Sequence, residues 1–172
     1  MTEFAVTVIG RDRPGIIADV TGALAALGVN LTDSSMTLLR GHFAMTLICT
    51  GDTPLSDVER VLAPTASDGS LLVSVRAVTD QLTTVPAGEP YVLTLHGADK
   101  LGLVAAATRE LATAGGNITD ATTRLTGELY LLIVEVTLPP DADVPALGGR
   151  LGDLGRRLGV DITFRPAEPD VL

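Results

Sequence analysis

Residues Phe4 to Asn30, FAVTVIGRDRPGIIADVTGALAALGVN, decide the fold. Up to Gly10 apolar and polar side chains alternate, as in a half-buried strand; after Arg11-Asp12-Arg13-Pro14-Gly15 the apolar positions Ile16, Ile17, Val20, Leu24 and Leu27 recur at helical spacing. Pro14 suits a first helical turn, whose N–H groups have no intrahelical partner, and Gly28 suits the left-handed residue after the last turn. The stretch returns as Tyr91 to Asn117, YVLTLHGADKLGLVAAATRELATAGGN, 87 residues later. The two copies share Thr7 with Thr94, Gly10 with Gly97, Asp12 with Asp99, Gly15 with Gly102, Thr21 with Thr108, Gly28 with Gly115, Asn30 with Asn117 and Asp33 with Asp120. Matches at both helix ends and along the apolar stripe indicate one backbone path used twice, hence two copies of one domain.

Outward from the first copy, Leu31–Leu39 and Phe43–Thr50 read as a hairpin turned at Arg40-Gly41-His42, with Phe43, Met45, Leu47 and Cys49 on one face. Thr53 reads as the N-cap of a second helix with Pro54 at its first position, Leu55, Val58 and Leu62 as its stripe and Pro64 as its end, followed by a strand over residues 71–78. The second copy repeats the order: strand 91–97, helix 101–114, strands 118–125 and 129–138, helix 144–158 and strand 160–164. In its last helix, Val144, Leu147, Leu151, Leu154 and Leu158 keep an apolar stripe despite four glycines, each costing about 1 kcal/mol relative to Ala. The order β-α-β-β-α-β, twice, specifies an α+β protein of two ferredoxin-like domains, each a four-stranded antiparallel sheet with both helices on one face. The expected division is 1–80 for the first domain, 81–89 for a Thr/Pro/Gly linker and 90–172 for the second.

The 172 residues thus form two halves of roughly 80, each burying only about 60–65% of its unfolded surface, which favours association. Tyr130, Leu132, Val134 and Val136 alternate with Leu129, Leu131 and Ile133, so this strand is apolar on both faces and expects cover on both. The Tyr130, Leu132 and Val134 side is the expected interface, either between the two domains of one chain or in a homodimer. A formal charge of -9 argues against direct nucleic-acid binding, which needs Lys and Arg to neutralise phosphates. The N-terminus carries no secretory pattern and no apolar run reaches membrane-span length, which implies a cytoplasmic protein. Cys49 is the only cysteine and sits in an alternating apolar strand, so it reads as a buried thiol. His42 and His96 fall at a hairpin tip and near a strand end, which is no metal-ligand pattern. No GxSxG, Walker A, GxGxxG or HExxH sequence is present, so neither an enzyme nor a cofactor is expected.

Asp12-Arg13-Pro14-Gly15-Ile16 after a strand, the apolar helix, and Gly28-Val29-Asn30-Leu31 leading into a hairpin resemble the first half of an ACT domain, the amino-acid-sensing module of biosynthetic enzymes and regulators. Two such modules with no enzyme attached are most similar to the glycine cleavage system transcriptional repressor family. The resemblance implies a small amino acid as ligand, bound by Gly10, Arg11, Asp12, Pro14 and Gly15 together with Asn30, often across a domain interface. In the second copy it implies Asp99, Gly102 and Asn117, although Lys100-Leu101 there replaces Arg13-Pro14. Chemistry supports the assignment: a helix N-terminus offers N–H groups to a carboxylate, while Asp and Asn oxygens accept from an ammonium. The competing structural readings are Asp12 as a helix cap, Asn30 as a left-handed residue, and Arg11 and Arg13 as solvated loop charges. The implied function is regulation of amino-acid metabolism or its transcription through a protein partner. The rivals are a ligand-free interaction scaffold and a non-catalytic subunit of an amino-acid biosynthetic enzyme.

Overall fold

The computed structural model describes residues 2–78 and 88–168. The chain divides into two compact units, Met1–Leu82 and Thr83–Leu172; of the expected linker, residues 81–87 lie outside the described residues. Unit 1 runs β1 (Thr2–Arg11), α1 (Ile16–Ala26), β2 (Asn30–Leu39), β3 (His42–Gly51), α2 (Leu55–Leu62), a 3-10 turn (Ala63–Ala66) and β4 (Leu71–Ala77). Unit 2 runs β5 (Glu89–Ala98), α3 (Leu103–Thr113), β6 (Asn117–Thr126), β7 (Leu129–Leu138), α4 (Val144–Leu158) and β8 (Val160–Pro166). The first four elements of the two units coincide residue for residue at the 87-residue offset. Each sheet is antiparallel, in the order β2-β3-β1-β4 and β6-β7-β5-β8. These are the two ferredoxin-like βαββαβ units that the periodicities predict.

Each core lies between a sheet and its helices. In unit 1, Phe4, Val6 and Val8 of β1 and Phe43, Met45, Leu47 and Cys49 of β3 meet Ile16, Val20 and Leu24 of α1. In unit 2, Leu93 and Leu95 with Leu132, Val134 and Val136 meet Leu103, Ala107 and Leu111. Cys49 is completely buried, and desolvation raises the pKa of its thiol. The expected interface on Tyr130, Leu132 and Val134 is therefore corrected: Leu132 and Val134 are fully buried under the helices, while Leu129 and Ile133 are exposed on the opposite, open face.

Local chemistry explains two further departures. Pro14 precedes α1, whose N-cap is the left-handed Gly15, so it is not part of the first turn. Pro54, not Thr53, is the N-cap residue of α2; the Thr53 hydroxyl instead donates to the Leu27 carbonyl at 3.1 Å and ties the two helices' ends together. The glycine-bearing α4 keeps its full expected length, capped by Asp143, whose carboxylate accepts from the Ala146 amide at 3.0 Å.

The turn between β2 and β3 is the two-residue Arg40-Gly41, both with positive φ (51° and 81°), as a tight hairpin turn requires. A β-bulge between Leu31 and Asp33 recurs between Ile118 and Asp120, so the repeated aspartates stand at matching bulges. The Asp33 carboxylate accepts from the Ser34 amide at 2.8 Å, and the Thr32 hydroxyl donates to the Ile48 carbonyl at 3.2 Å. A bulge inserts one residue and so reverses which side chains point to which face. Leu31 faces the helices beside Cys49; beyond the bulge that side is taken by Ser34, Met36 and Leu38, opposite Leu47, Met45 and Phe43.

Candidate ligand site at the strand-to-helix junction

The first junction is held at both ends by backbone bonds. The Arg11 amide donates to the Ser70 carbonyl at 3.0 Å and the Asp12 amide to the Gly41 carbonyl at 3.0 Å. Gly10 is fixed by packing: a Cβ there would come within 2.1 Å of the Ser70 oxygen. Gly97 is likewise pressed on Val160, at 2.7 Å. Gly15 and Gly102 hold φ of 92° and 87°, a left-handed conformation that side chains strain to adopt, although open space lies around both. The repeated glycines therefore set the backbone path.

The structural readings of Asp12 and Asn30 do not hold, while Arg11 is an exposed loop charge. No side chain caps α1, so Asp12 is not its cap, and Arg40 is the only non-glycine residue with positive φ among the described residues, so Asn30 is not left-handed. The left-handed residue after α1 is Gly28, followed by the Val29 amide donating back to the Leu24 carbonyl at 3.1 Å. Asp12 is exposed, and its carboxylate has no ion-pair or hydrogen-bond partner among the described residues. Arg13 pairs with Asp19 at 2.9 Å, a half-exposed pair worth at most about 1 kcal/mol. Asp68, in the loop before β4, accepts from the Ser70 hydroxyl (2.6 Å) and amide (2.9 Å), which hold its carboxyl below its usual pKa, with a smaller contribution from Arg13.

Within one unit the junction and Asn30 are not brought together. Gly10 pairs with Phe43 and Asn30 with Thr50, at opposite ends of β3, about 23 Å apart at strand rise. Unit 2 repeats this separation, Gly97 pairing with Tyr130 and Asn117 with Thr137.

The junction also meets Met36 and Leu38 of β2, which no motif or spacing marks. An open groove of about 580 Å³ runs from Asp12 and Gly15 along Ile16 and Ile17 to Met36, Leu38 and Phe43. Ile17, Met36 and Leu38 stand 44%, 50% and 51% exposed in it. The helices do not cover β2, an edge strand, and the bulge turns its apolar residues toward α1. Because the first intrahelical bond of α1 runs from the Asp19 amide to the Gly15 carbonyl (2.9 Å), the amides of Ile16, Ile17 and Ala18 precede the helical ladder at the mouth of this groove. A separate space beside α4, about 360 Å³, exists because Gly152, Gly155 and Gly159 present no side chains there.

The second junction has the same path and different chemistry. Lys100, in the place of Arg13, donates its ammonium to the Leu158 carbonyl at the end of α4. The Leu103 amide bonds to the Lys100 carbonyl at 3.4 Å, and Leu101, in the place of Pro14, is fully exposed. Thr123 replaces Met36, and Tyr130 replaces Phe43.

A sheet of this order with a first helix entered from β1 through a left-handed glycine is a ferredoxin-like domain, here used twice. Residues 2–76 match the family model of the ACT domain. The chain is also 38% identical over 64 residues to a UPF0237 protein of Listeria monocytogenes, covering 37% of this chain and 72% of that one. The chain belongs to the ACT-domain family. Over its length it is similar to the crystal structure of an unknown protein from Galdieria sulphuraria, with TM-score 0.82, 26% identity, and 97% and 99% of the two chains covered. It also shares its fold with a putative glycine cleavage system transcriptional repressor, with TM-score 0.70, 18% identity, and 97% and 98% covered. No helix among the described residues is long and apolar enough to cross a membrane.

Proposed function

We propose that this chain is a non-catalytic cytoplasmic regulator that binds a free amino acid at the first junction and acts through a protein partner. The observation that carries the reading is the groove of unit 1, where an unpartnered carboxylate on Asp12 lies beside the amides that open α1. An amino acid presents the complementary pair, a carboxylate for amides and an ammonium for a carboxylate. Gly15 lines the groove with Asp12, and Gly10, Arg11 and Pro14 shape the loop that carries them. A second copy completes the site. β2 is an edge strand exposed along nearly its whole length, and antiparallel pairing of two such edges carries one copy's Asn30 toward the other's Leu39 end, next to its groove. The homodimer is thus built through β2.

A thermal-shift screen of the full chain against the common amino acids tests this reading. A ligand at 100 times its Kd adds about 2.7 kcal/mol, which moves Tm by several degrees in a domain of this size. No shift with any amino acid would leave a ligand-free scaffold as the better account.

A further inference from the structure

The groove walls constrain which amino acid fits. Ile17, Met36 and Leu38 leave about half of their surfaces in water around a floor of buried Ile16 and Phe43, and these five residues belong to three separate elements that converge on the junction. A volume of about 580 Å³ is within the range of roughly 300–1,000 Å³ usual for small-molecule sites. We propose that the ligand carries a large apolar side chain, of the size of leucine, methionine or phenylalanine, laid between Ile17 and Met36. This rests on the amino-acid reading above and narrows its ligand.

Charge at the mouth selects the occupant. Arg13 is engaged by Asp19, so the free groups are the Asp12 carboxylate and the opening amides of α1, opposite in sign and both beside the apolar walls. A zwitterion with an apolar tail satisfies all three. A lipid tail or an apolar protein surface laid there would leave the Asp12 carboxylate desolvated and unpaired, at a large cost. Glycine or serine would leave the walls wet, and a charged side chain would lose its hydration against Ile17 and Leu38 with nothing in return. Unit 2 keeps exposed apolar residues at the Ile17 and Leu38 positions, Val104 and Leu125, but has Thr123 where Met36 stands.

Each methylene buried contributes about fourfold in affinity, so leucine or methionine should bind at least ~30-fold more tightly than glycine. Calorimetric titration of the full chain with leucine, methionine, phenylalanine, glycine, serine, aspartate and lysine reads this directly. It is repeated on Met36→Thr, which gives unit 1 the residue of unit 2, and on Leu38→Ser. Both positions are half-exposed on an edge strand, so the variants keep the fold, as circular dichroism and unliganded Tm will verify. Preference for the apolar members, weakened about tenfold in both variants, is the expected result. Binding of glycine or a charged amino acid as tightly as leucine would overturn this inference and leave the amino-acid site standing. Apolar binding undiminished in both variants would remove it from this groove. Silence toward the whole panel would remove the amino-acid reading itself.

Discussion

The two junctions share a backbone path and differ in what the path presents. Gly10 and Gly97 are both pressed against the following edge strand, and Gly15 and Gly102 are both left-handed. Thr21 and Thr108 both return their hydroxyls to the carbonyl one turn back, at 2.8 and 2.9 Å. The positions that repeat are those that backbone geometry requires. The positions that diverge change the surroundings of a repeated aspartate: Asp12 shares its groove with Ile17 and Met36, whereas next to Asp99 the Lys100 ammonium is drawn onto the end of α4 and Thr123 takes the place of Met36. The repeat identifies the scaffold, and the two junctions differ in the apolar and cationic side chains set around it.

Changes at matched positions test this division. Leu24→Ala and Leu111→Ala remove equivalent, fully buried side chains and should each cost about 3 kcal/mol by urea denaturation. A cost of under about 1 kcal/mol in either unit would break the equivalence of the two cores. Gly10→Ala and Gly97→Ala should be unequal. The first drives a methyl to 2.1 Å from a backbone oxygen and should cost about 3 kcal/mol; the second meets Val160 at the longer distance of 2.7 Å and should cost about 2 kcal/mol. Equal effects would show that both glycines serve the same constraint. The smallest difference is expected at the diverged cation. Lys100→Met withdraws a charge from a helix C-terminus and should cost about 0.5–1 kcal/mol, whereas Arg13→Met breaks only a half-exposed pair and should cost less than about 0.5 kcal/mol. The reverse order would place Arg13, not Lys100, in the structural role.

Most of the fold was legible in the sequence because alternation and helical spacing are local signals. The change of period at Gly10 marks the end of β1 to within a residue, and the repeat marks its counterpart. What was not legible depended on tertiary context. The interface expected on Leu132 and Val134 failed because a strand apolar on both sides does not say which side the helices take. The family resemblance groups Asn30 with the junction, yet antiparallel pairing puts it at the other end of β3. The apolar wall at Met36 and Leu38 was hidden by a single inserted residue at the bulge: regular alternation from Leu31 would have turned both toward the open face. Ile17 shares the helical spacing of Ile16, Val20 and Leu24, but it stands at the groove and not in the core.

The proposed amino-acid site lies at the junction of unit 1 rather than at that of unit 2. A crystal structure of the full chain grown with saturating leucine or methionine tests it most directly. The expected result is one amino acid per chain, its carboxylate at the amides opening α1, its ammonium at Asp12 and its side chain between Ile17 and Met36. Density at the Asp99–Gly102 junction instead, or equally at both junctions, would contradict the account.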